Sequence, residues 1–176
     1  MKKHTNIILS AAILEKIKSP LKIKRFKLKK IQDNQVLVKL HYSGVCKSQL
    51  MEINGERNNI KYLPHMLGHE GSGKVIETGN KVKKVKKGDE VILSWIKSSG
   101  KTCNGGLFQA NNNKINYGPI TTFSNYSLVS ENRIVKRPKF IDRKIATLFG
   151  CALSTGAGMV LKHGKISKKK KVLVYG

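Results

Sequence analysis

Two short stretches concentrate side chains able to do chemistry. Gly44-Val45-Cys46-Lys47-Ser48-Gln49-Leu50 sets a thiol, an amine and a hydroxyl side by side. Gly68-His69-Glu70-Gly71-Ser72-Gly73 sets an imidazole beside a carboxylate in a glycine-rich turn. A thiolate is a nucleophile or a metal ligand. An imidazole ligates or moves protons near neutral pH. Taken singly, each signal is weak, because a lone His is commonly a hydrogen-bonded structural residue and a lone Cys a small core residue. The three cysteines, Cys46, Cys103 and Cys151, are too few and too scattered for a disulfide framework.

The elements that would hold these residues read mostly as β. Ile7 to Ile13 is a short apolar strand. Leu21, Ile23, Phe26 and Leu28 alternate with lysines, and Arg25 adds one residue to that alternation, which predicts a bulge. Gln35 to Tyr42 follows the turn signal Asp33-Asn34 and ends at Ser43-Gly44, so Cys46 comes just after a strand, before a short helix from about Lys47 to Ile53. Gly71 to Thr78 and Glu90 to Ile96 are further strands, separated by a Lys-rich segment and Lys87-Gly88-Asp89. Residues 97–118 are rich in Gly and Asn and read as loop or variable hairpin. Phe123 to Val129 and Arg133 to Lys136 are β again. At Asp142, a plausible N-cap, the pattern becomes helical through Ile145, Ala146, Leu148 and Phe149. A second helix, about Leu153 to Lys162, precedes the apolar segment Val172-Leu173-Val174-Tyr175-Gly176, which reads as the opening strand of a βαβ unit.

Composition narrows the function. The chain of 176 residues is 39% hydrophobic and 26% charged, a foldable balance. Its apolar runs are shorter than a bilayer requires, and Glu15 and Lys16 interrupt the N-terminal patch, so a cytoplasmic chain is expected and no membrane partner. The net charge of +25 invites a nucleic-acid reading. However, 30 of the 35 basic residues are Lys and five are Arg, spread along the chain, whereas base readout and phosphate forks favour Arg. No specific nucleic-acid partner is therefore expected, beyond weak polyanion binding at low salt.

The second stretch extends further: Gly68-His69-Glu70, two residues, Gly73, five residues, Gly79, two residues, Val82. Together with Gly44-Val45-Cys46-x-Ser48, this resembles the zinc-containing alcohol dehydrogenase family of medium-chain dehydrogenases. Lys87-Gly88-Asp89-Glu90-Val91 resembles the family's turn into a strand. Phe149-Gly150-Cys151-Ala152-Leu153-Ser154-Thr155-Gly156 resembles its third-ligand segment. The resemblance implies a mainly β (α+β) fold, a GroES-like partly open barrel with short helices, followed by the first helix and strand of a Rossmann-type domain. It divides the chain into a zinc-binding catalytic domain over 1–150 and the start of an NAD(P)-binding domain over 151–176. It implies one catalytic zinc on Cys46, His69 and Cys151, with a fourth position for water or substrate. An alcohol there would be acidified and its hydride passed to NAD or NADP, or an aldehyde or ketone reduced. The substrate would be a small-molecule alcohol or aldehyde, and the full-length form a homo-oligomer. The expected alternative is a truncated remnant that binds zinc without transferring hydride, and the 176 residues alone are expected to be inactive.

By the same resemblance, Ser48 would take the alcohol proton, Lys47 would meet the cofactor pyrophosphate or be one exposed lysine among many, and Thr155 would face the nicotinamide. Gly176 would be the first Gly of the dinucleotide turn. Glu70 would stand behind the His ligand, replace a ligand, or simply pair with a nearby basic residue. Trp95 would line the cleft or pack. Three departures stand out. Gln49 replaces an Asp that orients the His ligand; its amide oxygen is expected to accept from the imidazole. Met51 lies where a His often ends the proton relay. Residues 97–116 hold only Cys103, a spectator thiol, where relatives carry a four-Cys structural zinc lobe.

Overall fold

A computed structural model describes residues 7–28, 31–110 and 113–175. The strands are β1 (Ile8–Leu14), β2 (Lys22–Lys27), β3 (Gln35–Ser43), β4 (His65–Met66), β5 (Glu70–Thr78), β6 (Glu90–Ser94), β7 (Gly106–Ala110), β8 (Asn113–Tyr117), β9 (Tyr126–Ser130) and β10 (Ile134–Lys136). The helices are α1 (Lys47–Ile53), α2 (Arg143–Leu148) and α3 (Ala152–Gly158), the last continuing as a wider π-turn through His163. The strands form two five-stranded sheets, ordered β2-β1-β4-β8-β7 and β10-β6-β5-β3-β9. All pairings are antiparallel except the single β4–β8 contact.

The sheets curl onto a common core as a partly open barrel. Strand β3 shows why: Val36, Leu37 and Val38 are all fully buried, so neither face meets water. Leu37 joins Leu9, Ile13, Phe26, Phe108 and Ile115 in one apolar cluster, while Val36 and Val38 join Val75, Val91, Leu93 and Ile134 in another. Phe26 and Phe108 stack at 5.5 Å, closing the far edges of the first sheet on each other.

The structure corrects several expectations. No bulge occurs at Arg25: six successive pairs run unbroken from Ile8↔Lys27 to Ile13↔Lys22. Phe26 and Leu28 fix the inward face, so period two puts Lys24 beside them, where it ion-pairs with Glu15, and leaves Ile23 69% exposed. The stretch 97–118 contains a hairpin, β7–β8, one of the two forms expected for it. Strand β6 ends at Ser94 and β9 starts only at Tyr126. Asp142 caps α2 as expected, its Oδ1 accepting from the Lys144 N–H at 2.7 Å. Val172–Val174 form no strand. Among the described residues no strand lies beside them to complete a ladder, and Leu173 and Val174 are about 90% exposed.

Candidate metal centre and cleft

Three chain reversals converge on one point. Strand β3 ends at Ser43, whose Oγ donates to Thr122 Oγ1 at 2.8 Å, and the Gly44 N–H donates to the Glu70 carbonyl at 3.1 Å. This ties the exit of β3 to the entry of β5 and delivers Cys46 to the start of α1. Strand β4 leads to Gly68, whose φ of +89° is a conformation that favours glycine. A Cβ there would lie 2.7 Å from the Phe123 backbone nitrogen, so the turn that presents His69 needs Gly twice over. Helix α2 ends at Leu148 with Phe149 as its cap, and Ser94 Oγ donates to the Gly150 carbonyl at 2.7 Å, setting Cys151 at the head of α3.

The ligating atoms of Cys46, His69 and Cys151 all lie within 4.8 Å of one another, and all three residues are half-buried. Zinc bound to sulfur at about 2.3 Å and nitrogen at about 2.0 Å needs tetrahedral edges of roughly 3.5–3.8 Å, so the set fits with a small contraction. Two thiolates and one imidazole match the softness of zinc. The Ser48 hydroxyl and backbone N–H hold the Cys46 thiol below its ordinary value, whereas burial pushes the Cys151 thiol up. Burial, then the nearby Arg57 charge, pushes the His69 imidazole down, favouring the neutral ring a metal requires.

Gln49, only 1% exposed, bridges two of these residues. Its Oε1 accepts from the Cys46 N–H at 3.2 Å, and its Nε2 faces His69 Nδ1. The amide oxygen therefore serves the helix start and not the imidazole, contrary to expectation, because the Cys46 N–H at the head of a helix needs an acceptor three residues on. A ring that binds a metal through Nε2 carries its proton on Nδ1, so loading the site would turn the Gln49 amide to offer that N–H its oxygen.

Glu70 is 2% exposed and has no basic partner among the described residues. Its Oε2 accepts from the Ala152 N–H at 3.3 Å, so it anchors the backbone that carries Cys151. Burial pushes its carboxyl up, against the opposing pull of the Ala152 and Cys151 N–H groups. It lies outside the three-residue ligand cluster.

The cluster opens into a cleft of about 990 Å³. Ser48, Trp95 and Thr155 line it; Lys47 is exposed and does not. Ser48 Oγ is buried, and beyond its pull on the Cys46 thiol it meets no hydrogen-bond partner among the described residues. Gly176 lies outside the described residues. Cys103 is remote in role, its thiol on Gln32 Oε1 at 3.1 Å. The sequence reading missed the far wall. There Asn59 Nδ2 contacts His65 Nε2 at 3.2 Å and the Glu52 carbonyl at 3.1 Å, with Arg57 nearby. Pro64-His65 was the sole sequence signal, and nothing in its spacing tied it to Glu52.

Among the described residues no helix is long and apolar enough to cross a membrane. Residues 32–139 match the alcohol dehydrogenase GroES-like domain. The chain is 29% identical over 191 aligned positions to S-(hydroxymethyl)glutathione dehydrogenase of Synechocystis sp., covering 94% of this chain and 52% of that protein. It is 35% identical over 136 positions to D-arabinose 1-dehydrogenase (NADP(+)) of Saccharolobus solfataricus, covering 74% and 39%. The chain thus spans about half the length of the curated relatives it matches. In fold it resembles benzyl alcohol dehydrogenase from Acinetobacter calcoaceticus, with a TM-score of 0.74 at 24% identity over 92% of this chain and 49% of that one. An alcohol dehydrogenase zinc-binding domain protein from Burkholderia ambifaria gives 0.76 at 23% identity, over 89% and 49%. With the matched domain spanning most of the barrel, the chain belongs to the zinc-dependent alcohol dehydrogenase family.

Proposed function

We propose that this chain is the metal-holding catalytic portion of an oxidoreductase that interconverts an alcohol with an aldehyde or ketone. The observation that carries the reading is the convergence of Cys46, His69 and Cys151 at the floor of a large cleft. Zinc held there would supply Lewis acidity to an alcohol or carbonyl oxygen, and NAD or NADP would accept or give the hydride. The protein's own groups do the rest. Ser48 Oγ, with no partner beyond the Cys46 thiol, would accept a hydrogen bond from the substrate hydroxyl and pass the proton outward. Gln49 fixes the imidazole and Glu70 fixes the Cys151 backbone, so both are positioning residues. Thr155, on the cleft wall, would meet the nicotinamide, and the exposed Lys47 the pyrophosphate. Residues 1–150 would form the catalytic unit, and 151–176 would open the cofactor-binding one. The protein would work in the cytoplasm on a small molecule, its full-length form as a homo-oligomer.

The test is metal stoichiometry. The chain should hold about one zinc, lost on Cys46→Ser, His69→Ala or Cys151→Ser and kept on Cys103→Ser. Two zincs per chain, or one surviving Cys151→Ala combined with His69→Ala, would refute the assignment.

A further inference from the structure

The background cation of this protein is lysine, at 30 residues against five arginines. The cleft reverses that proportion: Arg57 and Arg133 line it, and no lysine does. The other three arginines are accounted for elsewhere. Arg143 makes a two-pronged contact with Glu90 at 3.0 and 3.2 Å, Arg137 lies against the same carboxylate, and Arg25 is exposed on β2. Arg57 and Arg133 make no hydrogen bond or ion pair with any described residue. Arg133 is half-buried, which an unpaired guanidinium adopts at a cost. The one carboxylate in the cleft lining, Glu52, faces His65 at 3.8 Å. Arg133 therefore stands half-buried with no carboxylate bonded to it, and Arg57 is exposed on the same lining with only the unbonded charge of Glu52 to offset it; both are cations suited to planar, two-pronged anion recognition.

We infer that the substrate carries an anionic group, a carboxylate or a phosphate-type group, on the end away from its reacting oxygen, and that Arg57 and Arg133 receive it. This rests on the cleft being the substrate site. Arg57 shares the cleft lining with His69 and Glu52 and follows helix α1, which begins just after Cys46. Arg133 ends the short turn before β10, one residue ahead of the Ile134↔Leu93 pair with β6, and shares the cleft lining with Trp95. The two guanidiniums thus come from different walls, and a substrate reaching either would extend outward from the metal.

The probes are ω-mercapto acids of three to eight carbons, with methyl-ended thiols of equal length as neutral controls and ω-mercaptophosphonates as the dianionic arm. Binding is read from the visible spectrum of the cobalt-loaded 176-residue chain, since a thiol at the open position perturbs it. The acids should bind at least about tenfold more tightly than the neutral thiols at an optimal length, the range expected for one charge-assisted pair. Arg57→Gln or Arg133→Gln should abolish that preference, read as the acid-to-neutral affinity ratio within each variant, so that any change in the metal centre common to both thiols cancels. A tighter phosphonate would identify a phosphate-type group, a tighter carboxylate a carboxylate. Equal affinity for acid and neutral thiols at every length, or a preference indifferent to both substitutions, overturns the proposal. A second measurement separates it from the metal assignment. In the metal-free chain, hexanoate should shift the Arg57 or Arg133 Nε–H resonances saturably and leave that of Arg25 unmoved. Cobalt binding without these effects refutes the anion site alone. These shifts without cobalt binding refute the metal centre alone.

Discussion

Gly68 and Gly88 share a left-handed backbone but not a neighbourhood, and the difference predicts two very different alanine variants. Their φ values are +89° and +92°. At Gly88 an added Cβ would meet nothing within 4 Å, so Gly88→Ala costs only the conformational penalty of about 1–2 kcal/mol. At Gly68 the same methyl would fall 2.4 Å from Thr122 Oγ1 and 2.7 Å from both the Phe123 ring and its backbone nitrogen. The Thr122 and Phe123 N–H groups both bond to the Leu67 carbonyl at 3.1 Å, so that backbone cannot withdraw without breaking the contact. Overpacking of this kind adds about 1–3 kcal/mol, making Gly68→Ala roughly 2–5 kcal/mol destabilising, a large share of the stability of an ordinary domain. The strain also falls one residue before His69, so zinc affinity should drop in Gly68→Ala and hold in Gly88→Ala. Urea unfolding of the two variants beside the parent chain, with zinc titration of each, gives both readings. Equal midpoints for the two variants, or unaltered zinc affinity in Gly68→Ala, would show that the turn is not held as described.

Glu131, 3% exposed, accepts from the N–H groups of Lys83, Lys84 and Lys101 at 2.6, 3.0 and 2.8 Å, pinning two loops to one carboxylate. Glu131→Ala should cost about 3 kcal/mol or more in urea unfolding, and Glu131→Gln, which keeps an acceptor, clearly less. Burial pushes this carboxyl up, but the three N–H donors prevail and hold it below its ordinary value. Its contribution is thus present above the ordinary carboxylate range and fades as pH falls through it, which acid titration of Glu131→Gln should show as a flatter stability profile. Glu15, bonded by Lys24 and Lys22, is drawn down from 4.5 to about 2. A carboxyl resonance followed by NMR should titrate near that value and return toward 4.5 in Lys24→Met; any stability it lends is present above pH 4.5 and lost as pH falls toward 2.

The local elements that carry the chemistry are legible in the order of residue types along the chain. Helix α1 falls on Lys47–Ile53 as read, because the strand before it ends at Ser43-Gly44 and the side chains that follow favour a turn. Asp142 begins α2 because a short carboxylate can reach the free N–H groups of the next turn. The family resemblance named Cys46, His69 and Cys151 together, and the fold brings them together. Tertiary structure alone decided the rest. Ile23 faces water because Phe26 and Leu28 set the inward face of β2, a choice made by the core and not by alternation. Gln49 turns its oxygen to the Cys46 N–H because that group and the His69 ring, from distant segments, compete for one amide. Glu70 finds backbone donors 82 residues away, and Glu131 gathers three from separate loops. Val172–Val174 have strand composition and no ladder. Local preference is written along the chain, whereas partners of buried polar groups depend on which distant segments the fold brings within hydrogen-bonding reach, and one sequence read linearly carries no distances between them.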